Sequence, residues 1–94
     1  MTDMKTIVID GAYMTERGTS YAYLAKRLDF PSYFGKNLDA LYDLLTEPCE
    51  PRTLVIYNKK KLLLNLGPYG QRILDTIQDA VRVNGNLFYT EDSI

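Results

Sequence analysis

The chain has no histidine and no tryptophan, and a single cysteine, Cys49, among its 94 residues. Without histidine it lacks the commonest general base and the commonest transition-metal ligand. One cysteine closes no intramolecular disulfide, which suits a reducing compartment, and with no histidine beside it assembles no zinc site. The neighbours of Cys49 are Glu47, Pro48, Glu50 and Pro51, the wrong setting for a reactive thiolate, so Cys49 reads as a loop or packing residue. No apolar run approaches the roughly 18 residues of a membrane span. The opening MTDMKTIVID puts an acid ahead of its lysine and does not read as a secretory signal. The six glycines are scattered, none before a Lys-Ser or Lys-Thr pair, so there is no phosphate loop. These absences argue against an enzyme, and predict no metal and no cofactor.

What is present is ordinary for a globular protein: 46% hydrophobic and 24% charged residues, in a length that suits one domain over residues 1–94. The expected location is the cytoplasm. The net charge is −1 but unevenly placed. Residues 29–50 hold five acids (Asp29, Asp39, Asp43, Glu47, Glu50) against Lys36, whereas residues 52–72 hold five bases (Arg52, Lys59, Lys60, Lys61, Arg72) and no acid. A dedicated nucleic-acid binder carries a clear basic excess overall, so direct nucleic-acid binding is not expected. The segregation leaves room for one acidic and one basic face.

Lys5–Asp10 is a short β-branched run closed by Gly11 and predicts a strand. Thr19 or Ser20 is a candidate cap for a helix with apolar positions Tyr21, Leu24, Ala25 and Leu28, ended by Asp29 and Pro31. Asn37 caps a second helix with a stripe of Leu38, Leu41, Tyr42 and Leu45. Thr53–Tyr57 reads as a strand buried on both faces. Leu62–Leu66 is a candidate short helix. Gly67, Pro68 and Gly70 interrupt before a longer helix, from about Gln71 to Val83, with the stripe Ile73, Ile77, Ala80 and Val81 and a left-handed stop at Asn84-Gly85. Leu87–Thr90 is a third strand, and Glu91–Ile94 is expected to fray. Strands separated by helices imply parallel pairing. The fold class is therefore α/β: a three-stranded parallel sheet packed against helices, mainly on one side.

The segment Phe30–Thr46, FPSYFGKNLDALYDLLT, carries the most information. Asp39 and Asp43 stand four apart on the second helix, a like-charge spacing that costs an isolated helix about a few tenths of a kcal/mol. Asp39 has an ordinary explanation in the helix dipole of the first turn. Asp43 lies too far along for that, and its ordinary reading is a solvated acid. Tyr33 and Phe34 are adjacent aromatics in a Gly-bounded loop, one suited to the core and one to an interface.

Together these residues resemble the barstar family, intracellular inhibitors of barnase-like ribonucleases. Pro31, Tyr33, Gly35, the run Asn37-Leu38-Asp39-Ala40-Leu41, Asp43 and Thr46 carry the resemblance, and KTIVIDG, TLVIY and the late helix follow in order. The resemblance implies a barstar-like fold and a protein partner, a barnase-like ribonuclease. The second helix and its preceding loop would plug the nuclease active site by phosphate mimicry, an antitoxin-like immunity. Asp43 would enter the phosphate pocket, Asp39 would meet a second basic group, Tyr33 would pack on the rim, and Gly35 would let the backbone approach. Phe34, Asn37, Tyr42 and Asp79 complete the expected nuclease-binding set. Three departures accompany it: Tyr42 replaces a tryptophan, Phe34 replaces a second loop tyrosine, and the acid of the family's last helix aligns with Ala80, next to Asp79.

Other readings stay open. Lys59–Lys61 with Tyr57 and Tyr69 could form a weak single-stranded RNA surface. Eight tyrosines and a leucine-rich 62–66 could pair two copies of a chain otherwise expected to be monomeric, as a self-association or interaction module with a non-nuclease partner. Asp39 and Asp43 could bind Mg²⁺, although a third ligand is missing.

Overall fold

A computed structural model describes residues Met4–Asp92. In chain order the elements are β1 (Lys5–Asp10), a 3₁₀ turn (Gly11–Tyr13), α1 (Arg17–Leu28), α2 (Leu38–Leu45), β2 (Arg52–Tyr57), α3 (Lys59–Leu66), α4 (Pro68–Val83) and β3 (Leu87–Glu91). The strands form one parallel sheet in the order β1-β2-β3, with Val8 beside Val55 and Val55 beside Thr90. The α/β class with a three-stranded parallel sheet is as the sequence predicts.

One sheet face is covered. Ile7, Ile9, Leu54, Ile56 and Leu87 are buried there, against Leu24 and Leu28 of α1, Leu41 and Leu45 of α2, and Ile73, Leu74, Ile77 and Ala80 of α4. The other face carries Thr6, Val8, Thr53 and Val55, with Phe88 44% exposed. The expectation that Thr53–Tyr57 is buried on both faces is therefore corrected: the strand is central, but its burial alternates because helices cover one face only.

Several boundaries differ from expectation for identifiable reasons. Glu16, not Thr19 or Ser20, precedes the first helical residue; Thr19 serves three positions on, its hydroxyl accepting from the Glu16 N–H at 3.2 Å. The third helix begins at Lys59 rather than Leu62, so three lysines occupy a first turn where the dipole disfavours cations. Lys59 escapes this by pairing with Glu91 of β3 at 3.1 Å. The fourth helix starts at Pro68, whose missing N–H costs nothing in a first turn. Gly70, expected in a break, is buried inside that helix, where a Cβ would lie 2.8 Å from Leu62 Cδ2. Asn84 is extended (φ −108°), not left-handed. Glu91 belongs to β3 and the Asp92 N–H donates to Ile56 O, so fraying does not begin at Glu91. The rest of that expected tail, Ser93–Ile94, and the first three residues of the N-terminal segment read above lie outside the described residues.

Two consequences are measurable. The chain turns out of β1 at Gly11 with no room for a side chain: a Cβ there would stand 2.4 Å from the backbone oxygen of Asn58. Gly11→Ala is expected to lower stability by about 2 kcal/mol and the melting temperature by roughly 10 °C, read by thermal denaturation. Glu91 accepts from the Tyr89 hydroxyl at 2.6 Å and from Lys59. These bonds, Tyr89 first, hold its carboxyl below the ordinary value against an opposing effect of partial burial. A lowered folded-state pKa gives stability that is present above the unfolded value and lost as pH falls through the folded one. Glu91→Gln should therefore shrink the difference in melting temperature between neutral pH and pH values below the ordinary glutamate range.

Candidate functional site

The loop–helix segment expected to meet a partner is built from its ends inward. Helix α1 closes with Asp29 in the left-handed region (φ 55°), and the Phe30 N–H donates to Ala25 O at 2.9 Å. A turn follows in which the Phe34 N–H donates to Pro31 O at 3.0 Å. Asn37 then starts α2 in extended conformation; its Oδ1 accepts from the Ala40 N–H at 2.7 Å and its Nδ2 donates to Gly35 O at 3.2 Å. One side chain thus caps the helix and ties the loop to it.

Gly35 is needed for space rather than for an unusual φ: a Cβ would lie 3.3 Å from Asn37 Nδ2 and 3.4 Å from Ala40 Cβ. The residue with positive φ is Lys36 (φ 53°). At the far end, the Thr46 hydroxyl donates to the Tyr42 and Asp43 carbonyls at 2.9 and 3.1 Å. Asn84, at the end of α4, donates from its buried amide to Leu45 O at 2.9 Å and Glu47 O at 3.2 Å. Asn86 Nδ2 adds a bond to Cys49 O at 2.8 Å. The last carbonyl of α2, on Leu45, is satisfied by a residue about forty positions away. The sequence reading gave Asn84 only the part of a helix stop.

Between these anchors, Leu41 and Leu45 are fully buried, and Leu38, Ala40, Tyr42 and Leu44 pack against the core at partial burial. Asp39 and Asp43 face outward and are exposed. Among the described residues the ion pairs are Lys59–Glu91 and Arg82–Asp79; neither carboxylate of α2 has a cationic or hydrogen-bond partner. One turn of helix separates them, so the two unpaired charges share one side. Tyr33 is 77% exposed and Phe34 8% exposed. The structure thus divides the adjacent pair between surface and interior. Phe34, expected in the partner-binding set, has its ring packed inward against Tyr21 at 5.8 Å and Phe30 at 4.9 Å between centroids.

On α4 the expected departure at Ala80 also changes meaning. Ala80 is fully buried and belongs to the core. The exposed acid of that turn is Asp79, paired with Arg82 at 3.0 Å. Among the described residues no three histidine, cysteine, aspartate or glutamate side chains are grouped to hold a metal, and no helix is long and apolar enough to cross a membrane.

Asn37→Ala should cost about 1 kcal/mol of stability and speed amide exchange at Ala40, whose N–H loses its acceptor, more than in the strands. Hydrogen exchange followed by NMR checks both the size and the place of the effect.

The sequence that forms this arrangement is similar to that of known proteins. A family model described as "Barstar (barnase inhibitor)" matches residues 4–91. A relative from Bacillus subtilis (strain 168), named "Putative ribonuclease inhibitor YrdF", is 41% identical over 78 residues, covering 82% of this chain and 86% of its own length. The chain belongs to the barstar family, whose members are ribonuclease inhibitors and not enzymes.

Proposed function

We propose that this protein inhibits a barnase-like ribonuclease by inserting α2 and the loop before it into the nuclease active site. The observation that carries this reading is the pair Asp39 and Asp43: exposed, one turn apart, and free of any cationic partner among the described residues. A ribonuclease site must be cationic to hold RNA phosphates. Two carboxylates on a fixed helix satisfy such a site without offering a bond to cleave. Arginine–carboxylate contacts are charge-assisted and belong to the strong class of hydrogen bonds.

In this reading Asp43 occupies the phosphate pocket and Asp39 meets a second basic group. Tyr33 supplies apolar area at the rim with few rotamers to freeze. Gly35 and Asn37 hold the approach of the loop, and Tyr42 and Asp79 border the contact. Phe34 acts from inside. The protein works in the cytoplasm as a monomer, with phosphate mimicry as its mechanism and immunity to a toxic nuclease as its role. Lys59 is engaged with Glu91, which leaves two exposed lysines where the RNA-surface reading needs a row of three.

Calorimetric titration into a barnase-like ribonuclease tests the proposal. Tight one-to-one binding is expected, with Asp43→Ala weakening it by at least about thirtyfold, the scale of interface hot spots in general, barnase–barstar itself among them. The association rate should fall as salt rises, because encounter is steered by charge. Equal binding by wild type and Asp43→Ala would discard this interface, and absence of binding would discard the nuclease.

A further inference from the structure

The partner-facing loop has little to hold it. From Asp29 to Asn37 the one buried side chain is Phe34. At its ends the stretch is held by the Asp29 and Phe30 N–H bonds to Ala25 O and by the Leu41 and Ala40 N–H bonds to Asn37; between them lie the Phe34 bond to Pro31 and the Asn37 side-chain bond to Gly35. Half-buried Phe30 packs against the core at the start of the loop and against the Phe34 ring; beyond it, Phe34 is the attachment of the loop to the body of the protein.

That support is a column of aromatic rings drawn from three parts of the chain. Phe34 meets Tyr21 of α1 edge to face at 5.8 Å between centroids, with 69° between the ring planes. Tyr21 in turn meets Tyr69 of α4 at 6.2 Å and 83°. The Tyr21 and Tyr69 hydroxyls are hydrogen-bonded to each other, and the Arg17 guanidinium lies 3.8 Å over the Tyr69 ring. Tyr21 is 2% exposed. Phenylalanine at both positions would supply the same apolar rings, so packing alone does not call for two hydroxyls. Buried hydroxyls are unfavourable unless bonded, and a bond between them fixes ring orientation as ring packing does not.

We propose that the Tyr21–Tyr69 hydroxyl bond positions the partner-facing loop, setting through Phe34 where Tyr33 projects and where α2 begins. Both tyrosines are then positioning residues for ribonuclease inhibition, a role that rests on the inhibitor reading above. A loop held in place before encounter gives up less freedom on binding, so the bond serves the complex although neither hydroxyl touches the partner.

The test is a double-mutant cycle of Tyr21→Phe and Tyr69→Phe, read in the free protein by amide exchange at Phe34 beside Ile56 in the central strand. Each single variant should speed Phe34 exchange by roughly threefold to tenfold, the range of one net hydrogen bond, with Ile56 unchanged. The double variant should exchange no faster than either single one, since one bond is lost in all three. Dissociation of the nuclease complex should speed by a similar factor. Unchanged Phe34 exchange in the single variants, an equal rise at Ile56, or effects that multiply in the double variant would each overturn the proposal. Failure of the wild-type chain to bind the nuclease would instead remove the inhibitor reading, while the exchange cycle still decides whether the tyrosines hold the loop.

Discussion

Eight residues of helix do not persist alone in water, and two like charges one turn apart make such a helix less stable still. Everything about the acidic face of this protein follows from that constraint. The helix that carries Asp39 and Asp43 spans Leu38–Leu45 and must take its stability from elsewhere. Two fully buried leucines pin one side of it to α4 and the sheet. Asn37 satisfies its first turn, and Asn84 reaches across from α4 to satisfy its last. The packing and caps together allow the outer face to keep charges that nothing inside the molecule neutralises.

The same constraint explains why the surrounding loop is rich in special residues. A short helix fixed at both ends leaves the chain little freedom to enter it. Asp29 and Lys36 accept left-handed conformations, Pro31 accepts the turn bond from Phe34, and Gly35 leaves room for the Asn37 side chain. Positive φ at a non-glycine residue is mildly unfavourable and persists where neighbouring structure requires it. At Asp29 the left-handed residue closes α1, its N–H donating to Ala25 O.

Much of this was legible in the sequence because it is local. The β-branched runs of β1 and β2, the helical spacing of Leu38, Leu41 and Leu45, and Asn37 as a cap are patterns within a few residues, and they survive folding. What was not legible depends on contacts between distant segments. Lys59 opens α3 paired with Glu91, which arrives from β3, 32 positions later. Gly70 looked like a break, yet lies inside a helix because Leu62 and Leu66 need its empty side. Asn84 resembled a stop signal; its clamp on Leu45 and Glu47 exists only once α2 and α4 are packed together. Ala80 resembled a missing acid until its burial showed that position to belong to the core.

The division of labour in the loop has a consequence for how such a surface varies. Phe34 lacks the hydroxyl of a tyrosine, but at 8% exposure a hydroxyl at that position would need a partner of its own inside the aromatic column. The column already holds two, on Tyr21 and Tyr69, bonded to each other. A phenylalanine at position 34 is thus compatible with keeping the loop in place, and on the proposed reading contact falls to Tyr33 and the carboxylates of α2. Residues that face a partner and residues that hold them there can change separately only if each set is internally satisfied. On the proposed reading the unpaired Asp39 and Asp43 belong to the first set, and the bonded Tyr21 and Tyr69 to the second.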